Sequence, residues 1–261
     1  MTQAARLIGR WAAVAFQGMP LLLIASAWEM AARLKLLPSY IIPPLSSVLE
    51  RFVALLSEDF PIEIVRSMGR LGLGLSGAVM AGLVLGVVMA RSGLLRPLLE
   101  PILRSLYPLP KTALIPVVIV WFGLGNAANI ALIFIGCLVP VVIATYNSAR
   151  EVEDALIWSA RSLGATEQRV VRDVIFPAAL PQILNGVRTA LSLAFILVLS
   201  AELVIGQNGV GHFIYLMADN GDYPAMFAGV LTIACIGFAA DRLFLLLTAR
   251  MTFWAEQPDA L

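Results

Sequence analysis

Small residues, arginines and one glycine alternate with valines in WSARSLGATEQRVVRDVIFP, residues 158–177, a pattern suited to non-covalent docking rather than bond chemistry. Counting from Glu151, positions Val152, Ala155, Leu156, Ser159, Ala160 and Leu163 follow the 3.6-residue period and form one weakly apolar helical stripe. Gly164 closes that helix, because glycine readily takes the left-handed geometry of a helix C-terminus. Ala165-Thr166 opens a second short helix with Glu167 in its first turn, where an acid suits the helix dipole. Val170, Val171, Val174 and Ile175 supply its apolar side, and Pro177 and Pro181 break it before the next apolar run. A helix–glycine–helix of this build, small at Ala160 and Gly164 and rimmed by Arg161, Arg169 and Arg172, fits a groove on a soluble partner. The alternative is a solvated loop that merely carries the positive charge of one membrane side.

Groups able to react or to ligate a metal are few. His212 in GVGHFIY is the one histidine, and a single histidine makes no metal site; it reads as a surface or gate-closing residue. Cys137 and Cys235 each sit inside an apolar run at a spacing that suits neither a metal site nor a disulfide framework, so both read as packing residues. Glu29, Glu202 and the Asp241-Arg242 pair fall near the ends of apolar runs, and none sits where an ion-coupled carrier would place a charge. The chain also lacks the Gly-Lys-Ser/Thr loop that cradles nucleotide phosphates, so it has no energy source of its own.

The elements that position these residues are apolar helices. Of the 261 residues 60% are hydrophobic and 13% charged, with a mean hydropathy of +0.88, which places the chain among all-α polytopic membrane proteins. A net charge of +1 with no basic domain standing apart rules out nucleic acid as the default partner. A membrane-crossing helix needs about 20 mostly apolar residues. Five runs meet that cleanly, at 12–32, 70–90, 128–147, 187–206 and 226–248. A sixth, 106–125, is interrupted by Pro108, Pro110 and Pro116, and Lys111 near its end is expected to snorkel to the headgroups. Arg6 and Arg10 precede the first run and Ala25-Ser26-Ala27 imitates a signal-peptidase site, but Trp11–Ala27 is too long for a signal core and reads as a retained span. With six transmembrane helices and a cytoplasmic N-terminus, thirteen Lys and Arg residues lie inside and five outside, which satisfies the positive-inside rule. Both termini and the 150–186 loop are then cytoplasmic, and 1–261 is one transmembrane domain.

Residues 35–66 form a long outer segment in which Pro43-Pro44 and Ser46-Ser47 start an interfacial helix of about 46–57, lying on the bilayer. Gly74, Ala78, Gly82 and Gly86, four residues apart, share one helix face and let a second backbone approach closely. Thr189, Ser192, Ile196 and Ser200 line another face; its Thr189, Ser192 and Ser200 hydroxyls face an aqueous pathway or another helix, or bond back to their own helix.

The Ala160, Gly164, Val174, Phe176 and Pro177 spacing resembles the cytoplasmic loop of bacterial ABC-importer permeases, whose pattern is Glu-Ala-Ala, three residues, Gly, nine residues, Ile-x-Leu-Pro. Trp158 and Ser159 depart from it where the family has the Glu that helps hold the ATPase. LYPLPKTALIPVVIVWFGLG and SAELVIGQNGVGHFI are similar to segments of the nitrate, sulfonate and taurine branch, so the likeness covers most of residues 65–250. It implies a type I ABC-importer permease fold with a coupling-helix loop, in which Ala155, Ser159, Ala160, Arg161, Leu163, Gly164, Ala165 and Pro177 meet the ATPase. It further implies a homodimer in the bacterial inner membrane, two copies of a separate ATPase that carries ATP and magnesium, an external solute-binding protein, and alternating access. No cofactor or metal is then expected on this chain. A small anion of the nitrate, sulfonate or taurine kind, or a thiamine-precursor pyrimidine, is the implied solute. The competing readings are a stand-alone secondary carrier or channel, against which the missing mid-span charges argue, and a membrane-embedded enzyme, for which no His/Asp/Glu cluster exists.

Overall fold

The computed structural model describes residues 19–254; Arg6, Arg10 and the start of the 12–32 run lie outside the described residues. Every regular element within that range is helical. The chain divides into two compact units, Met1–Pro61 with Phe213–Leu231, and Ile62–His212 with Thr232–Leu261.

In the first unit, helix α1 covers residues 19–33 and α2 runs Leu45–Leu55, close to the interfacial helix expected at 46–57. Pro44 starts α2 without a side-chain cap of its own. The Glu29 carboxylate of α1 takes that role, accepting from the Ser46 backbone N–H at 3.1 Å and its hydroxyl at 2.9 Å. Arg51 of α2 reaches Glu58 at 2.7 Å and Asp222 at 3.0 Å, and these two acids, Glu58 first, raise its pKa.

The second unit holds the apolar core. Among the described residues of the whole chain, four elements are long and apolar enough to cross a membrane: α3 (Phe60–Arg91), α6 (Asn126–Glu151), the continuous stretch Glu167–Ile205, and α11 (Tyr223–Met251). The interrupted run is a bent pair, α4 (Leu95–Leu106) followed by a 3-10 turn (Lys111–Leu114) and α5 (Ile115–Phe122), turned by 100°. Pro108 and Pro110 have no N–H to continue α4, and its last carbonyls would be orphaned. Lys111 does not snorkel; its ammonium donates to the carbonyls of Leu106, Tyr107 and Leu109 at 3.0, 2.5 and 2.8 Å. Gly123 and Gly125, with φ of 74° and 136°, then allow the tight return into α6.

Small residues set the helix spacings. A Cβ on Gly74, Gly82 or Gly86 would lie 2.7, 2.6 or 2.5 Å from Ile133, Val141 or Thr145 of α6, and Ala78 between them is fully buried. Gly186 meets Ala144 of α6 just as closely, with Ala190, Ala194 and Ala201 buried on the same face. Close backbone approach of this kind is how membrane helices gain dispersion energy where apolar burial supplies none.

Three features depart from expectation. The second span starts at Phe60 rather than 70, which takes Arg66 and Arg70 out of the outer segment and into α3. Residues 207–225 are not a plain loop, since α10 occupies Val210–Asp219. Pro177 and Pro181 do not break the chain before the fifth span. Glu167–Arg169 (α8) passes through a π turn, Val170–Ile175, into α9 (Phe176–Ile205), with Pro177 in its first turn and Pro181 inside. The wider i→i+5 turn leaves room ahead of Pro177 for a residue that cannot donate.

Candidate functional site

The loop between α6 and α9 is built locally, residue by residue. Val152, extended at φ −64° and ψ 128°, turns the chain out of α6, and α7 spans Asp154–Ser162. Gly164, at φ 83°, ends α7 with two bonds: its own N–H to the Arg161 carbonyl at 2.9 Å, and the Ala165 N–H to the Ala160 carbonyl at 3.1 Å. That pairing is a Schellman motif, which requires a left-handed residue at Gly164. Thr166 then caps α8, its hydroxyl accepting from the Arg169 N–H at 3.4 Å.

Ile157, buried with Ala149, Val170 and Ile175, anchors α7; Val152, Ala160, Ala165 and Val171 pack around that cluster. The helical stripe is therefore split. Ile157, absent from it, points inward with Ala160, whereas Ala155, Leu156, Ser159 and Leu163 face out. Leu163 is 86% exposed, Trp158 65% and Leu156 48%. The expected docking residues thus fall into two groups, with Ala155, Ser159, Arg161, Leu163 and Gly164 on the outward surface and Ala160, Ala165 and Pro177 half-buried behind it. Arg161 is already engaged: it reaches Glu167 at 2.8 Å, and Arg91 from the end of α3 reaches the same carboxylate at 2.7 Å. The bond to Glu167 raises the Arg161 pKa above its ordinary value.

Along α9, Gln182, Asn185, Thr189, Ser192 and Ile196 are exposed in one line at helical spacing, and Ser200 is half-buried. The Thr189 and Ser192 hydroxyls donate to the carbonyls of Asn185 and Arg188 at 3.1 and 3.3 Å, so their lone pairs face outward. Arg188 itself forms a two-bond pair with Asp241 of α11 at 2.6 and 2.9 Å.

A third cluster escaped the sequence reading. Arg70 of α3 and Glu202 of α9, expected at span ends, are 6% and 1% exposed and form an ion pair at 2.6 Å. Ser67, one turn before Arg70, donates to Glu202 at 2.7 Å and accepts from the Val210 N–H at 2.8 Å. Glu202 also accepts the Gly211 N–H at 3.0 Å, and Glu63 accepts that of Gly209. Arg70 completes the enclosure through Asn126 at 2.8 Å, the Asn208 carbonyl at 2.9 Å and the Asn208 side chain. The first amides of α10 are thereby capped by two carboxylates and a hydroxyl. No windowed hydropathy average shows this pairing; the one signal was a cluster of charges at helical spacing, Glu63, Arg66 and Arg70, in an otherwise apolar helix.

Comparison with known proteins finds relatives over most of the chain. The family described as binding-protein-dependent transport system inner membrane component matches residues 78–253. The taurine transport system permease protein TauC of Escherichia coli (strain K12) is 30% identical over 243 residues, covering 90% of this chain and 87% of that protein. The nitrate import permease protein NrtB of Synechocystis sp. (strain ATCC 27184 / PCC 6803 / Kazusa) is 28% identical over 196 residues, covering 75% and 71%. Among solved structures, the inward-facing MetNI methionine ABC transporter superposes with a TM-score of 0.61 at 20% identity, over 78% of this chain and 99% of the matched one.

Proposed function

The chain belongs to the family of binding-protein-dependent transport system inner membrane components, the permease subunits of ABC importers, and on that premise we propose that its α7 surface receives the ATPase. It is a transport subunit and not an enzyme, in an ATP-driven importer that works by alternating access, with hydrolysis on a separate subunit. It is a multi-pass membrane protein, and an ATPase and a solute-binding protein are its partners.

The observation that carries the docking assignment is the exposed surface of Leu156, Trp158 and Leu163 on a helix held rigid from behind by Ile157, Gly164 and Glu167. Helix-in-groove docking needs such a preformed apolar face. Ala155, Ser159, Arg161, Leu163 and Gly164 are assigned to the contact, with Ala160, Ala165 and Pro177 supporting it. The assembly is two copies of this chain with two ATPases, which hold the ATP and magnesium, and one external binding protein. Both termini are cytoplasmic, on the excess of Lys and Arg in the inner segments, an excess that grows once Arg66 and Arg70 are counted within α3.

The solute is a small oxyanion-bearing molecule of the taurine or nitrate class, the class carried in the names of the relatives. Gln182, Asn185, Thr189, Ser192 and Ser200 line its way, with neutral hydrogen-bonding groups that release it readily. Detergent pull-down of the tagged chain from its native host, with uptake of labelled taurine and nitrate by liposomes holding the purified assembly, tests the reading. Copurification of a stoichiometric ATPase and ATP-dependent uptake support it. Uptake by liposomes holding this chain alone would replace it with a carrier or channel.

A further inference from the structure

The Arg70–Glu202 cluster has no part in docking or in the exposed line on α9, yet among the described residues it is a densely bonded polar site buried in the second unit. Its members come from three separate stretches: Glu63, Ser67 and Arg70 occupy one face of α3, Glu202 stands one turn from the end of α9, and Asn208–Gly211 form the connection into α10. The connection is shaped to this carboxylate. Gly209 has a φ of 104°, and a Cβ there would collide with the Glu202 carboxyl; a Cβ on Gly211 would lie 2.6 Å from the Glu202 Cβ. Every amide from Gly209 to Gly211 has a side-chain acceptor, and the Asn208 carbonyl has Arg70.

We propose that Ser67, Arg70 and Glu202 are positioning residues that form a permanent joint, closed throughout the transport cycle, so that the start of α3, the end of α9 and residues 206–211 move as one body. The inference rests on the docking reading above, since it assigns the joint a place in the ATPase stroke. Opening the joint would leave the buried Arg70 and Glu202 charges and the buried Val210 and Gly211 amide bonds without their partners. Glu167–Ile205 is one continuous helical element from the docking loop to this joint. α7 itself lies just before this element, so movement imposed on it reaches residues 206–211 as far as the intervening turn transmits it. The compliant part of that element is the π turn Val170–Ile175 with Pro177 and Pro181, beside the docking loop and away from the joint.

The test is hydrogen exchange on the assembled transporter in lipid nanodiscs, nucleotide-free and with ATP trapped on a hydrolysis-deficient ATPase. Peptides covering 206–212 are expected to stay equally protected in both states; a tenfold or greater loss of protection in either state overturns the joint. A second measurement separates positioning from simple stability. The double variant Arg70→Met/Glu202→Leu removes both charges together, which buried pairs often tolerate. It is expected to copurify with the ATPase as wild type does while solute taken up per ATP hydrolysed falls at least tenfold, with Arg70→Lys intermediate. Unchanged uptake per ATP in the double variant would show the pair to be structural only. If the double variant does not insert, exchange on the wild type decides alone. Loss of ATPase copurification in wild type would instead strike the docking reading, leaving the exchange result to stand or fall by itself.

Discussion

Glu167 at the start of α8 receives Arg161 of α7 through Nε at 2.8 Å and Nη2 at 3.1 Å, closing the six-residue gap across Gly164 into a rigid corner. Arg91 arrives at the same carboxylate from the end of α3, so one acid ties three helices at the docking surface. The groups are largely exposed, and exposed ion pairs act on geometry more than on global stability.

Glu167→Gln is therefore expected to leave insertion and thermal stability in detergent unchanged while ATPase copurification at low salt falls several-fold. At about 1 M salt, where screening acts over roughly 3 Å, wild type should drop towards the variant. Equal copurification of both at low salt would remove Glu167 from the docking argument.

Gly164 makes a sharper test because space and conformation separate there. A Cβ at Gly164 meets nothing within 4 Å, so only its φ of 83° constrains the residue. A non-glycine L-residue pays roughly 1–2 kcal/mol in that region, and Asn pays least. Gly164→Asn is expected to keep most ATPase association, and Gly164→Leu to lose about tenfold, both inserting normally. Copurification of the two variants side by side checks this; identical behaviour would mean that the Schellman geometry does not matter to docking.

Gly164 and Thr166 could be read in advance because helix ends are specified by neighbouring residues. The inward turn of Ile157 could not, since the loop stripe ignored what α7 packs against, namely Val170 and Ile175. Pro177 misled for a similar reason: its sequence signal is a helix stop, and the π turn before it has no composition of its own. Arg70 and Glu202 stand 132 positions apart, and hydropathy windows move such charges to the ends of spans. Only the packing of α3 on α9 shows that they neutralise each other. The four long apolar helices, the broken span between the first two of them and the Gly74–Gly86 ladder were readable because each is written in a single short stretch of sequence, whereas a sixth span is not among the described residues.

That ladder predicts a contrast within one helix. Gly82→Ala places a methyl 2.6 Å from the Val141 side chain and 3.3 Å from the Val142 backbone nitrogen, whereas Gly72→Ala meets nothing. Overpacking of this kind costs about 1–3 kcal/mol. Thermal unfolding in detergent should show Gly82→Ala clearly destabilised and Gly72→Ala at or above wild type, because alanine is the better helix former. Equal midpoints would mean that α3 and α6 separate easily, against the close approach seen here.

The exposed line on α9 yields the last test. Thr189 and Ser192 satisfy their hydroxyl protons on Asn185 and Arg188, so removing the hydroxyls leaves no buried donor unpaired, and stability should shift by no more than about 0.5 kcal/mol. If these oxygens serve the helix alone, Thr189→Val and Ser192→Ala leave uptake untouched. If they face the solute's path, the variants present methyl groups where a passing oxyanion loses water, and the barrier rises without any change in ATPase docking. The expected outcome is wild-type assembly with taurine or nitrate uptake reduced several-fold for each variant and more for the pair. Because both residues lie on the same exposed face as Gln182 and Asn185, the same loss should follow Asn185→Leu. Unchanged uptake in all three would move the pathway to another face of α9 and leave this line to lipid.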